Sequence, residues 1–382
     1  MKSTRLFHIS GNRYSPVSFD HHTFRIWEEL AKGFDSYHVI ARNVDNRYSY
    51  VAHGKIHLHL LPSCGKRMGV FFFLSWVLPY FVWRYRPTHL LAQSPVMGGV
   101  AAAFCSRVFN VPLFVEIHGA SYFEVSKPGI KGLVEHFLYR ALSPYAFKRC
   151  ARIRSLSSDM TDRILKVYGP HLKQKIVMIP VRVDVSIFKG SRTNYKVMGP
   201  LKVMMVGSLC ENKNQIQLVH DLGSAGIDIE LTLAGEGPCR DSLELLASRD
   251  SDNVRIMLVG QLNHECLREV LACQDVYVHY AHSEGTPRAI LEAMALMVPV
   301  ITVDYPYMRG VVEDGENVLL ISKPDPIQLA GAIRRLIGSE RLRQKLGENG
   351  RRLVHEKFES DKVFEMYRNE ILGTAICGCS QS

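Results

Sequence analysis

Short apolar runs recur along the chain, separated by longer stretches with helical spacing. In the first half, residues 6–9, 37–40, 56–60, 89–92, 113–117 and 154–157 are predicted strands, with helices over 23–32 and 97–109. The second half repeats the pattern, with strands at 203–206, 230–234, 254–258, 276–278, 300–303 and 318–320 and helices at 215–224, 238–248, 265–273 and 289–296. Strands alternating with helices of this length predict right-handed βαβ units and parallel sheets. The fold class is therefore α/β, with two doubly wound domains. The polar stretch 189–200 (KGSRTNYKVMGP) has linker chemistry. It divides a first domain, 1–188, from a second, 201–355. The pattern over 347–372 reads as one long helical segment, so residues 356–382 are expected to hold the end of a helix plus a short tail. Two such sheets facing each other would leave a cleft at their carboxyl ends, where ligands of this architecture bind.

One segment stands apart. Residues 70–83 (VFFFLSWVLPYFVW) are almost wholly apolar, but a spanning helix needs ~20 residues and Pro79 interrupts the run. The segment is expected to pack on the first sheet, with an outer face that can dip into a head-group layer beside Lys66, Arg67, Arg84 and Arg86.

Charge sharpens that picture. The chain of 382 residues carries a net +10, but residues 1–190 hold 26 Lys+Arg against 11 Asp+Glu, a net of +15 that leaves −5 for the remainder. No carboxylate lies between Asp45 and Glu116. The first half is therefore expected to meet something anionic. Nucleic acid is set aside, because no aromatic-basic or helix-turn-helix pattern is present. Nine cysteines without a C-x-x-C pair predict neither a disulfide framework nor a zinc site. The first residues, MKSTRLFHIS, contain no apolar stretch of signal length, so a cytoplasmic chain with reduced thiols is expected. His53, His57 and His59 lack a carboxylate or cysteine partner in their run and are expected to be exposed strand residues.

The chemistry concentrates at 283–295 (SEGTPRAILEAMA), a short loop followed by a helix starting near Arg288. A helix start offers free N–H groups and a positive dipole end to a phosphate. Carboxylates on either side suit vicinal hydroxyls, so one of Glu284 and Glu292 can serve a hexose and the other a ribose while the backbone between them holds a diphosphate.

At these residues the sequence resembles the GT4 family of retaining glycosyltransferases, which have the GT-B fold of two Rossmann-like domains. Glu284 and Glu292 match the family's E-x7-E motif. The resemblance extends to VGSLCENKN at 206–214, LAGEGP at 233–238, IPVRVDVSIF at 179–188, VEIHG at 115–119 and EDGENVLL at 313–320. It implies a metal-independent transferase with no cofactor beyond a nucleotide-sugar co-substrate. Glu292 would bind the ribose and Glu284 the transferred sugar, with Gly285, Thr286, Pro287 and Arg288 around the diphosphate. Lys213 would neutralise that diphosphate within a turn that includes Gly207 and Ser208. Gly235, Gly260, Gln261 and Leu262 would lie against the nucleotide. His118 would sit over the reacting sugar, and Gly11, Tyr14 and Tyr122 would face the acceptor.

The family arginine after V-G is Ser208 here, and Arg240 or Arg288 is the candidate replacement. Met297 stands where glycine is usual. GT4 acceptors are commonly lipid-linked sugars, which implies a sugar or lipid-linked glycan acceptor at the inner face of the membrane, with the basic first half against an anionic lipid surface. Two rival readings are an inactive GT-B subunit supporting a partner transferase and a hydrolysing nucleotide-sugar epimerase. The loss at Ser208 favours the first, and the E-x7-E context argues against the second.

Overall fold

The computed structural model describes residues 3–16, 22–63, 70–118, 122–123, 129–190, 192–248, 253–284 and 287–377. The chain divides into two units, Met1–Pro180 with Phe364–Ser382, and Val181–Val363.

Among the described residues, the first unit is built on an eight-stranded sheet of β1 (Arg5–Tyr14), β2 (Ser36–Asn43), β3 (Ser49–His53), β4 (Ile56–Pro62), β5 (His89–Ala92), β6 (Leu113–Glu116), β7 (Arg152–Ser155) and β8 (Ile176–Met178). The spatial order is β3-β4-β2-β1-β5-β6-β7-β8. All neighbours are parallel except β3, which pairs antiparallel with β4 across a tight turn where Gly54 takes a φ of 56°. Neither β3 (SYVAH) nor β8, an apolar run of only three residues (IVM), is among the expected strands. The strand expected at 154–157 begins two residues earlier, because Ser157 caps the next helix, Ser158–Tyr168, by accepting from the Met160 amide.

Two expectations need correction here. Gly11, expected in a loop after the first strand, lies inside β1, which continues to Tyr14 through an irregularity between Ile9 and Arg13. Its carbonyl accepts from Arg42 Nε at 2.8 Å. His59, expected to be exposed, is fully buried. It lies on β4, which β3 covers on its outer edge, and its Nε2 is 3.1 Å from His38 Nδ1. Phe7, His38 and His57 are successive neighbours across β1, β2 and β4, with rings stacked at 4.6 and 4.4 Å. Burial lowers the pKa of His38 to about 3 and of His59 to about 4.

The apolar stretch 70–83 is three pieces rather than one helix: Val70–Leu74, a 3-10 turn at Ser75–Val77, and Leu78–Tyr85. Pro79 sits in the first turn of the last piece, where its missing N–H costs nothing. Phe71, Leu78, Phe81 and Val82 pack inward, while Phe73, Trp76, Tyr80 and Trp83 face outward. Lys66 and Arg67 lie outside the described residues. Among those described, no helix is long and apolar enough to cross a membrane.

The second unit carries a six-stranded parallel sheet of β9 (Leu201–Val206), β10 (Ile229–Ala234), β11 (Val254–Gly260), β12 (Val276–His279), β13 (Val300–Val303) and β14 (Leu319–Ile321). Its order is β11-β10-β9-β12-β13-β14. The five strands from β9 to β14 other than the edge strand β11, whose residues alternate between covered and exposed, are buried on both faces and read as continuous apolar runs. The strand order reverses between β9 and β12, so the loops leaving those two strands open on the side where such sheets bind ligands. The stretch 189–200 falls inside this unit: Tyr195 is buried and its carbonyl accepts from Arg343 Nε at 2.7 Å. The expected C-terminal helical segment is divided between Glu340–Lys357 and Ser360–Cys377.

Candidate functional site

The loop after β9 forms a short 3-10 turn, Glu211–Lys213, and then a helix, Gln215–Gly223, entered through Asn214 at a φ of 62°. The loop after β12 carries His282, Ser283 and Glu284. Two hydrogen bonds fasten these loops together. Asn212 Nδ2 donates to the Ser283 carbonyl at 2.8 Å, and the His282 amide donates to the Asn212 carbonyl at 2.8 Å. The fastening brings Lys213 Nζ against Glu284 Oε1. Burial lowers the pKa of the Lys213 ammonium, with Cys210 opposing the shift. This amine is therefore partly dehydrated and paired with one carboxylate, a cation for which an incoming dianion can compete.

Glu292 lies one turn inside the helix Arg288–Ala295 and is 7% exposed. Burial raises its pKa, against the pull of Arg288. A cavity of about 260 Å³ is lined by Gly207, Ser208, Gly235, Glu236, Gln261 and Leu262, among others, and the Lys213 side chain lies against Gly207. Its floor depends on glycine. A Cβ on Gly235 would fall 2.0 Å from the Gly207 carbonyl oxygen, and Gly235 itself takes a φ of 146°. Backbone can line this cavity only because both turns lack side chains. The cavity thus gathers five of the expected nucleotide residues, Gly207, Ser208, Gly235, Gln261 and Leu262, while Gly260 closes β11 at a φ of 68°. Gly285 and Thr286 lie outside the described residues, and Pro287 caps the helix that begins at Arg288.

In the first unit, His118 follows β6, with Nε2 3.3 Å from Glu116 Oε2 and an imidazole 46% exposed. Glu116 is buried and its other oxygen takes Arg154 Nη1 at 2.6 Å. The remaining Arg154 donors reach the carbonyls of Ile179 at 3.0 Å and Pro180 at 2.9 Å, and the guanidinium lies 4.6 Å over the Tyr367 ring. Burial alone would push the Glu116 carboxyl up, but His118, Arg154 and the Tyr367 hydroxyl hold it well below the usual carboxylate range.

Residues 190–353 match the family described as glycosyl transferases group 1. This segment is similar to the group 1 glycosyltransferases. The chain is 25% identical over 297 residues to an alpha-D-kanosaminyltransferase from Streptomyces kanamyceticus, covering 71% of this chain and 75% of the relative. Among solved structures, sucrose-phosphate synthase from Thermosynechococcus elongatus superposes with a TM-score of 0.79 at 18% identity, covering 97% of this chain and all of that one. HepE from Anabaena, in complex with UDP-glucose, gives a TM-score of 0.71 at 16% identity over 97% and 99% of the two chains. At these identities the solved structures speak to the fold, which is GT-B.

The remaining expected residues divide. Tyr14 is half-buried, packed edge-on to Trp27 at 4.8 Å, with its hydroxyl 3.4 Å from Ser10 Oγ. Tyr122 is buried in the apolar core, stacked on Tyr139 at 4.8 Å and donating to Ser94 Oγ at 2.9 Å. Arg240, one candidate to replace the missing arginine, is held by Glu236 at 2.5 Å and Glu244 at 2.7 Å.

Sequence reasoning passed over two groups. One is Glu116 with Arg154, which meet because they are register partners on β6 and β7. The other is His279, at the end of β12, with Nε2 3.4 Å from Glu284 Oε1. A histidine inside the apolar run VYVHY, five residues ahead of Glu284, is the signal that could have found it.

Proposed function

We propose that this protein is a glycosyltransferase that moves a hexosyl group from a nucleotide-sugar, UDP- or GDP-linked, to a lipid-linked glycan in surface polysaccharide assembly, with retention at the anomeric carbon. The observation that carries the reading is the convergence, at the point where the strand order of the second sheet reverses, of Lys213, Glu284 and the glycine-floored cavity. The UDP-glucose complex of HepE supports a nucleotide-sugar donor.

In this reading the cavity takes the nucleoside and Glu292 accepts from the ribose hydroxyls. Glu284 accepts from hydroxyls of the hexose. Lys213 and the N–H groups opening the helix Arg288–Ala295 neutralise the diphosphate, a role that needs no divalent metal. As the bond from the anomeric carbon to the diphosphate oxygen breaks, the acceptor oxygen forms its bond on the same face. The acceptor proton passes to the departing diphosphate. His118 is assigned to the reacting sugar, oriented by Glu116. The outward Phe73, Trp76, Tyr80 and Trp83, beside Arg84 in the acid-poor first half, are assigned to an anionic lipid surface at the cytoplasmic face of the membrane.

Thermal unfolding of the wild-type chain and of Glu292→Ala, against UDP, GDP and their sugar conjugates, tests this reading. A ligand at 100 times its dissociation constant should add about 2.7 kcal/mol. A shift with one base, abolished by Glu292→Ala, is the expected result. The inactive-subunit reading draws on Ser208, which stands where the family has an arginine, and on the engagement of Arg240 by two carboxylates. Absence of any nucleotide shift would favour it.

A further inference from the structure

His279 is 1% exposed, at the end of a strand whose other side chains are apolar or aromatic. A buried imidazole brings polar nitrogens that need partners. Its Nδ1 lies 3.3 Å from the Tyr277 hydroxyl, and its buried Nε2, which makes no hydrogen bond, lies 3.4 Å from Glu284 Oε1. Tyr277 and Tyr305 pack against the ring, at 6.2 and 5.9 Å between centroids, which fixes its plane. An ionised carboxylate only accepts, so this arrangement selects the tautomer with hydrogen on Nε2 and leaves Nδ1 to the tyrosine hydroxyl. Burial, reinforced by the charge of Lys213, lowers the imidazole pKa to about 3, so the ring is neutral at physiological pH.

Glu284 consequently faces two donors of different character. One is the Lys213 ammonium, a cation that a diphosphate would compete for. The other is a neutral imidazole N–H, buried and rigid, for which a diphosphate has no route and little attraction.

We propose that His279 is a positioning residue for the donor sugar: its Nε2–H holds the Glu284 carboxylate in its sugar-binding orientation while Lys213 transfers its charge to the diphosphate. The inference rests on the assignment of Glu284 to the transferred sugar. It adds a division of labour in which the nucleotide and diphosphate do not depend on His279 and the hexose does.

The test is titration calorimetry of the full chain with whichever pair the wild type binds, UDP and UDP-glucose or GDP and GDP-mannose. For His279→Leu, affinity for the nucleotide-sugar should fall roughly tenfold, as expected for loss of a hydrogen bond to a charged group, while affinity for the free nucleoside diphosphate changes less than twofold. His279→Gln, which restores an N–H donor, should recover most of the loss. Equal weakening of both ligands, or of neither, overturns the proposal and leaves the donor assignment standing. Failure of the wild type to bind either pair overturns both together. Because His279→Leu alters a buried site, nitrogen-15 spectra of imidazole-labelled wild type provide a second measurement. Hydrogen on Nε2 of His279 in the ligand-free protein is expected, and hydrogen on Nδ1 overturns the proposal without recourse to any variant.

Discussion

Two buried ion pairs, one in each unit, carry the expected catalytic groups, and they are built on opposite principles. Glu116 and Arg154 are 3% and 5% exposed, and each of the three guanidinium nitrogens donates: one to the carboxylate, one to the Ile179 carbonyl, one to the Pro180 carbonyl. Tyr367 covers the planar face. Lys213 and Glu284 are 20% and 11% exposed, and the ammonium sits on a short turn with burial pulling its pKa down. The first pair is over-determined and can only hold its neighbours still. The second is under-satisfied on the lysine side and can exchange partners. An enzyme that must hold one imidazole fixed and hand one cation to a ligand needs both kinds.

The comparison breaks most visibly at Arg154. Removing one partner of a fully buried pair leaves an uncompensated charge, so Arg154→Met should cost about 3–5 kcal/mol of stability. Tryptophan fluorescence during denaturant unfolding reads this in the correct place, because Trp27, Trp76 and Trp83 all belong to the first unit. If Glu116→Leu is added, the apolar pair should recover much of the loss, since the stranded carboxylate is gone. A single variant that unfolds like wild type would mean that the guanidinium is not confined as described.

Lys213→Met should behave in the opposite way. The pair is reachable by water on its ligand side, so folding stability should change by no more than about 1 kcal/mol. Binding of the nucleoside diphosphate should weaken by about 10- to 100-fold, because a charge-assisted contact to the phosphates is lost. Calorimetric titration beside a melting curve separates the two effects. A large stability loss with unchanged affinity would make Lys213 a structural residue like Arg154 and erase the contrast.

The two sites were unequally legible in the sequence for the same physical reason. The second-unit site is local: Gly207 and Gly235 end adjacent parallel strands, their backbones touch, and no other residue type fits, so the turns announce themselves. Lys213 and Glu284 lie a few residues beyond strands that read as plain apolar runs. The first-unit site is made by register. Glu116 and Arg154 are 38 residues apart and meet only because β6 and β7 align them. His59 is buried because β3, a polar and aromatic edge strand with no apolar run, folds back over β4. Gly11 read as a loop signal and is an irregularity within a strand. Tyr122 read as an acceptor-side aromatic and is core. Polar residues buried through long-range pairing leave little trace in a one-dimensional pattern.

The gentlest test adds a group to the second site instead of removing one. Ser208 is exposed at the rim of the cavity and sets no backbone geometry of its own, so an arginine there can be accommodated without disturbing the glycine floor. If the diphosphate site lacks a cation because Ser208 stands where the family arginine would, Ser208→Arg should raise affinity for a nucleoside diphosphate by about three- to tenfold, with folding stability unchanged within about 0.5 kcal/mol. Because the added contact faces water, the gain should shrink as ionic strength rises from 0.05 to about 0.5 M, which titration at the two salt concentrations measures. No gain at low salt would show that Lys213 and the helix start already satisfy the diphosphate, and that the substitution at Ser208 cost this protein nothing.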